Sequence, residues 1–152
     1  MKRMTGILLA LVILLAAGCA AAEQRISLPE SSLTLALPDE MICDGPTPGS
    51  DEAFAYVSNR LGLEISFFRY NDRGRQLADL IPGIREKGAD EVRERNVGGM
   101  DMIVYRIAPY DASGMKCIGY ILKDGDAIQE IVFWYATQSA ADRSEAIMGS
   151  IQ

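Results

Sequence analysis

Hydrophobic and polar positions divide the chain into a continuous apolar run followed by short periodic segments. Gly6 to Gly18 (GILLALVILLAAG) carries no charged side chain and follows Lys2 and Arg3. Beyond it, Ile26-Ser27-Leu28, a turn at Pro29 to Ser32, and Leu33-Thr34-Leu35-Ala36-Leu37 read as a strand pair; leucine at every second position predicts a half-buried strand that Pro38 ends. Asp39 to Glu52 contains Gly45, Pro46, Pro48 and Gly49, a loop composition. Ala53 to Ser58 and Leu63 to Tyr70 predict a hairpin in which Gly62 takes positive φ, with Leu63, Ile65 and Phe67 on one face and Phe68 and Tyr70 on the other.

Leu77, Leu80, Ile81 and Ile84 recur at helical spacing, with Pro82 kinking or splitting the helix and Gly88 stopping it. Glu91 to Val97 is mostly charged, as an edge strand should be. Gly98-Gly99 turns the chain into Met102 to Ala108, Pro109 to Gly114 is a loop, and Met115 to Leu122 returns. Asp124-Gly125 predicts a type I′ hairpin turn. Ile131-Val132-Phe133-Trp134-Tyr135 puts large side chains on both faces, which predicts a central strand covered above and below. Ser139 is the expected cap of a last helix with a stripe of Ala141, Ile147, Met148 and Ile151. The order predicts an α+β fold: an antiparallel sheet of about six to seven strands with helices packed on its faces, an α/β/α sandwich.

The N-terminal pattern is that of a secretory signal, and Leu14-Leu15-Ala16-Ala17-Gly18-Cys19 resembles the lipobox of bacterial lipoproteins, in which the cysteine thiol accepts diacylglycerol. The usual Leu three positions before the cysteine is replaced by Ala16. The expected organisation is a signal peptide over 1–18, a lipidated Cys19 with a short linker over 19–25, and a single domain over 26–152. Two other outcomes stay open: cleavage after Ala20-Ala21-Ala22 to release a soluble protein, or retention of residues 5–22 as an anchor. All three place the domain outside the cytoplasm. The short linker holds it close to the membrane, on the outer face of the cytoplasmic membrane or on the outer membrane of a two-membrane host.

The net charge of −6 becomes more negative once Lys2 and Arg3 leave with the signal, which argues against a nucleic-acid partner. Apart from Cys19, the thiols are Cys43, in the expected loop, and Cys117, in an expected strand. They are either a candidate disulfide, permitted by the compartment, or two buried inert thiols. The absence of histidine excludes Ser-His and Cys-His nucleophile activation and the common zinc ligand sets. Asp124-Gly125-Asp126 lacks the remaining ligands of an EF-hand loop and reads as a turn. Asp39-Glu40 and Asp51-Glu52 are adjacent acids beside loops, Gly98-Gly99 has no phosphate-binding context, and Trp134 fits core packing better than a ligand pocket. No catalytic residue, metal ligand or cofactor motif emerges.

Leu33 to Met41, the helix around Leu77 to Ile84, Ile121-Leu122-Lys123-Asp124-Gly125-Asp126 through Tyr135, and the closing Ala146 to Ile151 together resemble the PsbP-like family. That family is named for an extrinsic photosystem II subunit and shares its fold with a Ran-binding nucleotide-release factor and with DcrB-type lipoproteins. The resemblance implies an accessory or assembly role through protein surfaces, without a shared catalytic centre. The photosynthetic members' ion retention, partly through histidine, does not carry over to a chain without histidine. Three functions are therefore weighed: a noncatalytic lipoprotein supporting a protein partner in the envelope, a small-molecule or ion-binding lipoprotein, and an enzyme acting through carboxylates or a thiol.

Overall fold

The computed structural model describes residues 22–46, 54–108 and 114–152. Its strands are β1 (Glu23–Ser27), β2 (Thr34–Pro38), β3 (Ile42–Pro46), β4 (Phe54–Ser58), β5 (Leu63–Asn71), β6 (Glu91–Val97), β7 (Met100–Ile107), β8 (Lys116–Asp124) and β9 (Ala127–Tyr135). A 3-10 turn at Leu77–Leu80 runs into helix α1 (Ile81–Glu86), and α2 (Gln138–Gly149) closes the chain. β3 to β9 form one antiparallel sheet in the order β3-β4-β5-β9-β8-β7-β6, while β1 and β2 make a separate hairpin.

Strand β9, which carries the apolar run Ile131 to Tyr135, lies at the centre of the seven strands, where both of its faces are covered. Ile131 and Phe133, with no exposed surface, point to the layer formed by the hairpin and α2. There they meet Leu35 and Leu37 of the hairpin and Ala140, Ile147 and Met148 of α2. Val132 and half-buried Trp134 point the other way, to a smaller core closed by Ile84 of α1 and by Leu77, Leu80 and Ile81. The α/β/α sandwich read from the sequence is present, with the β1–β2 hairpin sharing one outer layer with α2. Charged β6 is an edge strand, as its composition predicts.

Local chemistry revises several expectations. Residues 23–25, expected as linker, are the first part of β1: Glu23 pairs with Pro38 and Gln24 with Leu37, and the Gln24 side chain donates to the Met41 carbonyl at 2.6 Å. The segment Asp39 to Glu52, expected as loop, contains β3, which pairs with β4 through a bulge between Cys43 and Gly45. Gly45 has φ +82° at the bulge, so the glycine that suggested a loop serves an irregular edge strand. Pro82 splits rather than kinks its helix: it falls at the start of α1, where no backbone N–H is needed, and the preceding turn is 3-10.

The α2 cap is Thr137, not Ser139; the Thr137 hydroxyl accepts from the Ala140 N–H at 3.2 Å. The β8–β9 turn comprises Gly125 and Asp126, and among the described non-glycine residues only Glu30 and Arg73 have positive φ. Gly125 alone therefore takes positive φ, the pattern of a type II′ turn instead of type I′.

Candidate functional site

Cys19 and the segment 1–18 lie outside the described residues, as do Asp51-Glu52. The other two cysteines are both free thiols, Cys43 exposed on β3 and Cys117 buried on β8. Strands β4, β5 and β9 separate them, four interstrand steps of about 4.8 Å, whereas a disulfide needs Cα atoms within about 7 Å. They also face opposite ways: Cys43 shares the face of Tyr56 and Ile65, and Cys117 that of Trp134 and Glu64. The candidate bond is thus not formed, and of the two-inert-thiols reading only Cys117 fits.

Burial, and secondarily the charge of Glu130, pushes the Cys117 thiol up to about 12. Its thiolate is then negligible at neutral pH, and so is its nucleophilicity. Iodoacetamide at pH 8 is expected to label Cys43 in the native protein and to reach Cys117 only after unfolding, as peptide mass mapping would show. Equal labelling of both in the native state would contradict the packing around β8.

The remaining residues picked out in the sequence have structural settings. Glu40 pairs with Arg60. Asp124 accepts from the Gln129 side chain at 3.2 Å, and no cluster of three metal-ligating side chains occurs among the described residues. Gly98 and Gly99 make the tight β6–β7 turn, and a side chain on Gly98 would run into Ile151. Trp134 packs against the smaller core.

Two of the cavities among the described residues adjoin the chemistry of interest. One, about 550 Å³, opens between the β1–β2 hairpin and the β3–β5 wing. Strand register builds its floor, because paired residues share a face: Cys43 beside Tyr56, Phe54 beside Phe67, and Arg69 two residues further along β5. The Tyr56 and Phe67 rings meet edge to face at 6.1 Å, and Phe54 remains 46% exposed. Burial, then the neighbouring Cys43, raises the Tyr56 hydroxyl above the usual tyrosine range. The hairpin contributes Ile26, Ser27, Pro29 and Glu30.

Among the described residues, Arg69 is the cavity's one cationic lining residue. Its Nη1 meets Glu30 Oε2 at 3.1 Å, and its Nε is buried without an acceptor. Such a stranded donor costs about 1–3 kcal/mol. Glu30 is a loose partner, with a side chain 80% exposed and a backbone φ of +48°, a conformation unfavourable for a side-chain-bearing residue. The adjacent Pro29 carbonyl is fixed by a 3.0 Å bond from Gln129, so the tip of the hairpin is held on the sheet while the Glu30 carboxylate is not.

The second cavity, about 380 Å³, lies under α1. Glu130 of β9 accepts a 2.7 Å hydrogen bond from Tyr70 on one carboxylate oxygen and another 2.7 Å bond from Tyr105 on the other. The ring of Tyr105 lies over Gly119, the one residue of β8 with no side chain to obstruct it. Burial first, then Glu130, drives both tyrosine hydroxyls far above their ordinary range. Phenols held protonated cannot serve as bases at neutral pH, so this triad, buried at Tyr105 and 43% exposed at Tyr70, is a structural network. Sequence reading missed both sites: neither Arg69 nor Glu130 belongs to a motif, and each acquires partners only through cross-strand register.

No protein-family profile matches the chain, and no curated protein matches its sequence. Solved structures do resemble it. The solution structure of cyanobacterial PsbP (CyanoP) from Synechocystis sp. PCC 6803 aligns with a TM-score of 0.58 at 10% identity, over 89% of this chain and 95% of that one. A crystal structure from Bacteroides thetaiotaomicron VPI-5482 aligns with a TM-score of 0.64 at 12% identity, over 87% of this chain; the present chain spans about half of that protein, 48% of its length. The fold is PsbP-like, and at these identities the likeness concerns fold alone.

Proposed function

We propose that this PsbP-like domain is a noncatalytic binding protein, tethered outside the cytoplasm through Cys19, that serves another component of the cell envelope. The observation that carries the reading is the groove beside β1: an apolar recess on a rigid sheet whose single guanidinium is incompletely paired. Recognition needs such a surface, whereas catalysis needs a proton carrier or nucleophile. The Cys117 thiol is held protonated, the Tyr70 and Tyr105 phenols are locked on Glu130, and the accessible Cys43 thiol has no histidine to activate it, since the chain has none.

The tether sets the working position. Because β1 begins at Glu23, four residues past Cys19, a lipid on that cysteine would leave at most about 14 Å of chain before the fold starts. The groove, partly built from Ile26 and Ser27 of the same strand, would stay near the lipid surface and be presented to ligands or partners there.

Metabolic labelling with palmitate tests the tether. Label is expected on the wild-type chain and none on Cys19→Ala, which should also leave the membrane fraction. Unlabelled wild type recovered as a soluble product would overturn the tether. Purified protein that turns over a substrate, and loses that activity when one acidic side chain is neutralised, would overturn the noncatalytic reading.

A further inference from the structure

We propose that the groove beside the hairpin binds a small monocarboxylate with an apolar body, whose carboxylate takes Arg69 over from Glu30. This deepens the binding role proposed above and rests on it, and it assigns the ligand by chemistry. Arginine stays charged at any physiological pH and presents five N–H donors in a planar fork suited to a carboxylate. In this structure the fork engages Glu30 through Nη1, and its buried Nε has no acceptor. The carboxylate of Glu30 already occupies the place of the proposed ligand's head group, which shows what kind of group the site accepts.

Glu30 is also easily displaced. Its side chain is 80% exposed, so its release to water needs little rearrangement, and an exposed ion pair holds it only weakly. The rest of the ligand would lie along Ile26, Phe54, Tyr56 and Phe67, and covering half-exposed Phe54 adds to the favourable term. A cavity of about 550 Å³ lies within the usual range for small-molecule sites. One cationic lining residue, opposed by one glutamate, suits a monoanion. A phosphate ester with two charges would call for further cations.

Cys43 lines the same cavity, so it reports occupancy without any added probe. The test measures the rate of Cys43 alkylation by iodoacetamide in the full chain held in phosphatidylcholine nanodiscs, as a function of decanoate concentration. Decanol and decylammonium, of equal chain length, control for partition into lipid. Decanoate is expected to slow alkylation saturably, with decanol and decylammonium needing at least about ten times more, the scale of a charge-assisted hydrogen bond. Glu30→Gln, which removes the competing carboxylate, should tighten decanoate up to about fivefold. Arg69→Gln should weaken it at least about tenfold.

Equal protection by decanol, or decanoate binding that Arg69→Gln leaves unchanged, would overturn the proposal, as would weaker binding in Glu30→Gln. If Arg69→Gln does not fold, the Glu30→Gln and decanol arms still decide. Failure here leaves palmitate labelling and the absence of turnover untouched, so it can be told apart from failure of the broader function.

Discussion

Gly119→Ala is expected to destabilise the protein by about 3 kcal/mol, a large effect for one methyl group. In melting temperature this is a fall of about 10 °C. A Cβ built on Gly119 overlaps the ring and hydroxyl of Tyr105, which is 7% exposed beneath α1. The ring cannot give way cheaply: moving it breaks the hydrogen bond to Glu130 and opens the small core that Ile84, Ile103 and Ile121 close. Chemical denaturation of a double-mutant cycle checks the cause. In a Tyr105→Ala background the same Gly119→Ala change should cost less than about 1 kcal/mol, because the obstructing ring is gone. Additive costs would show that the overlap is not responsible.

That pairing of a glycine with a tyrosine illustrates where sequence reading stops. Periodicity located β9 at the centre and β6 at the edge, because burial and charge write themselves into residue order at period two. It also separated Leu63, Ile65 and Phe67 from Phe68. Gly119, however, is a lone glycine inside an apolar run, and its role depends on which residue of β7 lies opposite; the register gives Tyr105. The same holds for Arg69, whose partner Glu30 comes from a hairpin far away in the chain. Strand β3 was hidden for another reason: Cys43-Asp44-Gly45-Pro46 has turn composition, which an edge strand with a bulge tolerates and a central strand does not. Local chemistry misled at Ser139 too, since Thr137 and Ser139 are both capable caps and the end of β9 at Tyr135 decides which one the chain reaches first.

The two faces of the sheet have opposite electrostatic characters, and this bears on how function and stability respond to pH. On the groove face a guanidinium is left partly unpaired near solvent, and its charge does not change in the physiological range. On the α1 face, protons are held on buried Cys117 and Tyr105 and on half-exposed Tyr70. Cys117 is pushed up to about 12 by burial and then by Glu130, and Tyr70 and Tyr105 are raised for the same two reasons. In the hairpin-side core, burial and then Glu145 push Tyr120 up to about 12.

Stability is therefore expected to be level from pH 7 to about pH 8.5 and to fall steeply above pH 9. In the unfolded chain the thiol loses its proton near 9.0 and the phenols near 10.0, while the folded groups keep theirs. Across the interval between those values the folded state binds more protons than the unfolded state, so every unit of rising pH favours unfolding. The stabilising contribution of each group is complete below its unfolded value and is lost as pH climbs toward the folded one. Each fully buried group of this kind adds a slope of about 1.4 kcal/mol per pH unit, so Cys117 alone acts from 9.0 and buried Tyr105 and Tyr120 steepen the decline above 10.0, while half-exposed Tyr70 adds less.

Urea midpoints at pH 7, 9, 10 and 11 measure this decline. Cys117→Ala should delay its onset, and Glu130→Gln should make it shallower, because it removes the negative charge shared by three of the raised groups without restoring their contact with water. A midpoint unchanged up to pH 11 would mean that water reaches these side chains in the folded protein, and the closed packing assigned to the α1 face would be wrong. Decanoate binding at Arg69 should persist through the same range until the fold itself is lost, since arginine guanidinium groups and aliphatic carboxylates in general keep their charges there.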